Sequence, residues 1–175
     1  AALCAEQGHI CCYCMKRIRP DSDHMKIEHW HCRDSYPAEE LVYGNLLAAC
    51  NGSEGQPRSK QHCDTRKGDS LLSWSPADQN HNVETVIAYL GDGRIQSSDR
   101  VFNRELNDVL NLNEAFLINS RKAVLESFQQ RLSNGSLNRN AVSRMLVDWS
   151  NGAGGELREF CGVVIHWLNK KLARC

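Results

Sequence analysis

The chain lacks most of what would mark a membrane protein, a disordered tail or a polyelectrolyte. Nothing in its 175 residues approaches the apolar run of ~18 residues that a transmembrane helix needs. Prolines number only four and glycines 12, against 41% hydrophobic residues, so disorder is not expected, and the length suits one domain or one small domain plus an extension. Neither charge is in excess: Lys and Arg total 21, and so do Asp and Glu. That balance argues against grip on nucleic acid through bulk charge, which works by neutralising many phosphates at once. A nucleic-acid substrate would need local contacts or a second chain. No secretory leader, internal repeat or low-complexity tract is visible, and a cytoplasmic location is expected.

What the chain has in quantity is cysteine, nine residues, accompanied by seven histidines. In a secreted protein the odd count would mean disulfides with one thiol left over, but the histidines, a Cys-x-x-Cys and the absence of a visible leader favour metal ligation in a reducing compartment. Cys11 and Cys14 sit in a short knuckle closed by Pro20, and Cys50 and Cys63 form a second, wider pair. Two pairs of thiolates can close a tetrahedral zinc site. The intervening stretch Asn51–His62 is glycine, serine, proline and charge, so it cannot bury apolar surface and its ends need another tie. Zinc can contribute on the order of 10 kcal/mol of folding free energy in such a setting. Cys12 and Cys32 are alternative ligands. Cys4, Cys161 and Cys175 lie in helical patterns or at the terminus, where packing or fraying accounts for them.

Hydrophobic periodicity predicts the remaining elements. A helix ends near Gly8, a short strand covers Met25–Trp30, and a turn with a short helix covers Asp34–Tyr43. Leu46–Ala49 is an apolar run into Cys50, and Ser70–Val83 is an irregular connection. Gly91-Asp92-Gly93 between Thr85–Leu90 and Arg94–Gln96 predicts a β-hairpin. Apolar stripes then predict core-forming helices: Phe102 to Leu110, Leu117 to Leu132 with a C-cap signal at Asn134-Gly135, Leu137 to Trp149 before the breaker at 151–155, and Leu157 to Leu172.

Between and beside the cysteines lie Glu28-His29, a lone Asn45 and Asp64, which directly follows Cys63. Phosphodiester hydrolysis needs a base for water and a cation for the developing charge. Imidazole is the usual base near neutral pH, and carboxylates are the usual ligands of Mg²⁺ or Mn²⁺. On a strand, adjacent Glu28 and His29 point to opposite faces, so sharing one site requires a strand end or turn.

Acid-His, then Asn, then Cys63-Asp64-Thr65-Arg66-Lys67-Gly68, framed by the cysteine pairs, resembles the HNH endonuclease family of ββα-metal folds. Ile10–Cys14, Lys26–Trp30, Gly44–Gly52, His62–Asp69 and the later Leu110-Asn111-Leu112-Asn113 with Leu117 and Arg121 resemble its PtuB subfamily. These are effectors of Septu and retron-associated antiphage systems, and the resemblance covers roughly residues 5–130. It implies an α+β fold: a zinc-stapled nuclease core over 1–75, then a hairpin and helical region over 76–175 that serves as a partner-binding surface. It implies His29 as general base, Glu28 and Asp64 as ligands of a catalytic Mg²⁺ or Mn²⁺, and Asn45 as orienting the His29 side or bracing the loop. Lys67 would contact a phosphate, and Cys11, Cys14, Cys50 and Cys63 would hold structural Zn²⁺. His62 is a rival to Asp64 as the third motif residue. The implied partners are a nucleic-acid substrate, a PtuA-type ATPase and a retron reverse transcriptase with its nucleic acid. A structured-RNA nuclease and a non-catalytic zinc-binding interaction module are the competing readings.

Overall fold

A computed structural model of the chain describes residues 1–78, 80–132 and 138–174. The Asn134-Gly135 cap signal, Leu137 and Cys175 lie outside the described residues. The architecture is mixed α+β with two small antiparallel two-stranded sheets.

Helix α1 (Ala2–Glu6) leads through Gln7 into the cysteine knuckle, where Ile10 bridges Arg17. Strand β1 (Lys26–His29) pairs with β2 (Leu46–Ala49), Glu28 facing Leu47 and His29 facing Leu46. On its other edge β2 is covered by a side chain and by the knuckle. Gln7 Oε1 accepts from Ala48 N at 2.8 Å, and Gln7 Nε2 and Cys12 N both donate to Ala48 O. The amide side chain thus stands in for a third strand and satisfies groups an open edge would leave unpaired. Helix α2 (Cys63–Lys67) follows the long loop.

Helix α3 (Val83–Val86) precedes the predicted hairpin, which forms as β3 (Ile87–Tyr89) and β4 (Ile95–Ser97). Helix α4 (Arg100–Arg104) is capped by Asp99, whose carboxylate accepts from Val101 N and Phe102 N, and runs on as a π-turn over Glu105–Val109. Three longer helices complete the chain: α5 (Ala115–Leu132), α6 (Arg139–Asn151) and α7 (Cys161–Leu172). The last begins later than its apolar stripe, because Phe160 takes a left-handed conformation (φ 53°) and resets the chain direction.

Buried side chains from both halves, from Cys4 through Cys63 to Leu168, form one continuous cluster. Two polar links join the halves near the site. Cys63 N donates to Leu110 O at 2.9 Å, and Asn111 Nδ2 donates to Ser59 O and Gln61 O of the long loop. Buried Arg121 donates to Gly93 O and Leu112 O, locking the hairpin turn to the same segment.

Candidate metal centres

The four sulfurs of Cys11, Cys14, Cys50 and Cys63 lie within 4.8 Å of one another and all four residues are buried. Cys11 and Cys63 sulfurs are 3.8 Å apart and Cys14 and Cys50 sulfurs 3.7 Å apart. A tetrahedron with Zn–S bonds of ~2.3 Å has an edge of roughly 3.8 Å, whereas a disulfide needs ~2.05 Å. The spacing is therefore that of a metal site. Burial alone would raise the Cys11 thiol, yet its contacts with Cys12, Cys14, Cys50 and Cys63 hold it well below its usual value, and Cys50 is lowered to about 6, while the same crowding pushes Cys14 and Cys63 well above theirs. Thiolate is the form metals bind.

The backbone is shaped to deliver these sulfurs. Cys63 sits at φ 55° and Met15, just past Cys14, at φ 63°, both unusual for residues with a side chain. Gly52 closes the long loop: His62 N donates to Gly52 O at 3.0 Å, and a Cβ at Gly52 would fall 2.1 Å from His62 O. Cys12 and Cys32 stand outside the set, and Cys4 instead meets His9 Nδ1 at 3.5 Å. His62 is buried against the cluster, its Nδ1 3.2 Å from the Cys63 sulfur. It faces the sulfurs and not Glu28.

Beside this cluster, α2 carries Asp64 up to Glu28 of β1. Glu28 is 2% exposed while its apolar neighbour Ile27 is 59% exposed, so this strand buries its charge and presents its hydrophobe. Burial and a hydrogen bond with the Asp64 carboxyl push Glu28 up to about 8, against the opposing pull of Lys67. Two carboxyl groups crowded in this way, one buried and one half-buried, are a donor set that suits a hard divalent cation with water completing its shell. Among the described residues, the cysteines are the one group of three or more His, Cys, Asp or Glu side chains close enough to hold a metal. Glu28 and Asp64 are a pair.

Two donors hold Glu28. Lys67 Nζ lies 2.8 Å from Glu28 Oε1, 3.1 Å from His29 O and 3.5 Å from Gly68 O, with its side chain 1% exposed. The expected phosphate contact of Lys67 therefore does not fit: its ammonium is buried and directed at these oxygens. Tyr13, from the knuckle, donates its hydroxyl to the same Glu28 oxygen at 2.8 Å. The resemblance did not single out Tyr13, and only its position between Cys12 and Cys14 could have signalled it. Behind it lies an apolar cavity of about 490 Å³ walled by Tyr13, Leu72, Trp74, Phe102, Leu106 and Ile165.

His29 is the last residue of β1, where strand alternation sends it away from Glu28. Its Nε2–H donates to Glu40 O at 3.1 Å. The imidazoles packed on Trp30 and Trp74 are those of His31 and His81. Asn45 is buried and clasps the β1–β2 loop: it accepts from His31 N at 2.7 Å and donates to His31 O and Glu39 O. Of the two expected roles, its contacts are those of a brace. The brace grips the residue preceding Glu40, so it reaches His29 through one peptide.

No protein-family model matches the chain. It is 28% identical over 145 residues to the Septu protein PtuB of Bacillus thuringiensis, a match that takes in 69% of this chain and 56% of that protein. The chain thus spans little more than half the length of the curated relative it matches. Among the described residues no helix is long and apolar enough to cross a membrane.

Proposed function

We propose that the chain is a metal-dependent endonuclease of the HNH type that serves as an effector in antiphage defence. The observation that carries the reading is the meeting of Glu28 and Asp64 on a strand–strand–helix unit; His29, the next residue in the chain at the end of β1, has its ring held by a backbone carbonyl. In neutral imidazole, donation from Nε2 to Glu40 O leaves Nδ1 as the unprotonated nitrogen, the form that takes a proton from water. Glu28 and Asp64 would hold Mg²⁺ or Mn²⁺, which when bound supplies Lewis-acid stabilisation of the charge developing on phosphate. Asn45 keeps the Glu40 carbonyl in register with the His29 ring. Lys67 and Tyr13 hold Glu28, and the zinc-bound Cys63 sets the position of Asp64 by direct sequence adjacency.

Similarity to a protein named for the Septu system supports the defence role. A PtuA-type ATPase is the partner this reading entails, and it would supply the nucleic-acid grip that a chain of zero net charge does not have in bulk. A retron component rests on the sequence resemblance alone. The same chemistry serves DNA or structured RNA.

A specific observation favours a second reading, a non-catalytic zinc module. Glu28 is fully buried and paired with Lys67, as a purely structural acid would be. Cleavage assays separate the two. Plasmid DNA and transfer RNA are incubated with the chain and its ATPase partner in Mg²⁺ or Mn²⁺. The nuclease reading expects His29→Ala to reduce cleavage by ~100-fold or more while zinc content and melting temperature stay at wild-type values. Equal cleavage by His29→Ala and wild type defeats it.

A further inference from the structure

Both strong donors to Glu28 fall on a single oxygen. The Tyr13 hydroxyl and the Lys67 ammonium each lie 2.8 Å from Oε1. A carboxylate gripped in this way by two donors cannot rotate freely about its last bond. Its Oε1 lone pairs are engaged, so a cation shared with Asp64 would take the other oxygen, Oε2. Lys67 comes from α2, the helix that also carries Asp64. Tyr13 comes from elsewhere, and its position is fixed twice over. Its neighbour Cys14 belongs to the sulfur cluster, and its other neighbour Cys12 donates its backbone N–H to Ala48 O of β2 at 3.0 Å.

We propose that Tyr13 is a positioning residue for the Glu28–Asp64 cation site, holding Glu28 Oε1 from the zinc knuckle so that Oε2 is presented to the divalent ion. This rests on the nuclease reading of those two carboxylates. It assigns the knuckle a second task, because the hydroxyl that orients Glu28 is anchored one residue from a zinc ligand. The sulfur site then controls the carboxylate site from two directions, through Cys63 to Asp64 and through Cys14 and Tyr13 to Glu28.

Tyr13→Phe removes the hydroxyl and keeps the ring that walls the apolar cavity. The test is a titration of the zinc-loaded full chain with Mn²⁺, followed by the electron paramagnetic resonance of the free ion, for wild type, Tyr13→Phe, Glu28→Gln and the double variant. Loss of one charge-assisted hydrogen bond to the ligand predicts about tenfold weaker Mn²⁺ binding in Tyr13→Phe. Zinc content should be unchanged. In the Glu28→Gln background the same substitution should have no further effect, a non-additivity that a merely structural tyrosine would not produce. Mn²⁺ affinity of Tyr13→Phe within twofold of wild type overturns the proposal, as do additive effects in the double variant. Loss of zinc from Tyr13→Phe overturns it too, because the hydroxyl would then be serving the fold. Failure of the underlying nuclease reading looks different: Glu28→Gln itself would leave Mn²⁺ binding at the wild-type level.

Discussion

The sulfur cluster and the carboxylate pair are built from adjoining residues, yet they are opposites. Cys11, Cys14, Cys50 and Cys63 are all buried, come from three separate stretches, and complete a coordination sphere by themselves. Glu28 and Asp64 are two groups, one buried and one half-buried, with no third ligand of the same kind in reach among the described residues. A closed sphere suits a structural metal, and an incomplete one suits a metal that must share its shell with water and substrate. On the proposed reading one short scaffold carries both, the closed site fixing the backbone on which the open one depends.

The largest expected effect comes from opening the closed site. Cys50→Ser should release zinc and loosen the long loop, and with several kcal/mol of binding free energy lost, the melting temperature should fall by about 10 °C or more. Cleavage should vanish with it, since Cys63 and Cys14 adjoin Asp64 and Tyr13. Asp64→Asn should do the converse, abolishing cleavage while the melting temperature and the zinc content by elemental analysis stay at wild-type values. If Asp64→Asn also released zinc, the two sites would be one.

Next in size is Lys67, whose placement separates the sequence reading from the structure. Lys67→Met leaves Glu28 buried without its cation and should cost about 3–5 kcal/mol in urea unfolding above pH 8, where the carboxyl is ionised, and less at neutral pH, where it can stay protonated. In a Glu28→Gln background the same change should cost appreciably less, giving a coupling of about 1 kcal/mol or more. A lysine kept for phosphate would give a small cost and no coupling.

The contrast between sites also explains what could be read in the sequence. Cysteine spacing is local and ligand geometry is rigid, so the Cys11, Cys14, Cys50, Cys63 set could be picked out, as could the hairpin at Gly91–Gly93 and the apolar helices. Of the Glu28–Asp64 pair, only the members could be picked out. Alternation assigns Ile27 to the interior and Glu28 to water, but the fold does the reverse, and only the tertiary partners Tyr13 and Lys67 make that burial tolerable. Those partners lie 15 and 39 residues away, and nothing in local periodicity encodes them. The same holds for His62, adjacent to the motif yet turned to the sulfurs because it precedes a cysteine at positive φ.

A smaller effect is expected at Asn45, on the open site alone. Asn45→Ala removes three hydrogen bonds in the β1–β2 loop and leaves His31 N and His31 O short of partners, while Glu39 O keeps its bond from Val42 N, a cost of about 1–3 kcal/mol. Because the loop presents Glu40 O to His29, cleavage at a temperature where the variant is fully folded should fall as well. A variant that is destabilised yet fully active would detach Asn45 from the imidazole and leave it as a fold residue only. Zinc content should not change in either case.

The smallest effect tests whether the helical half contributes to the sites at all. Asn111 takes a left-handed conformation (φ 50°) and aims its amide at Ser59 O and Gln61 O, while its neighbour Leu110 accepts from Cys63 N. The loop has almost no apolar surface to bury, so polar ties hold it: these bonds, Arg66 Nη1 donating to Arg58 O, and the Lys60–Glu114 and Lys26–Glu54 ion pairs. Asn111→Gly keeps the backbone conformation and removes the clasp, which should cost about 1 kcal/mol. Hydrogen exchange over 51–62 should speed up, while amides of the sulfur knuckle at 11–14 keep their protection. Uniform acceleration across both stretches would mean that the sulfur cluster and its loop open as one unit, and that the closed site is rigid only as long as the C-terminal half holds it shut.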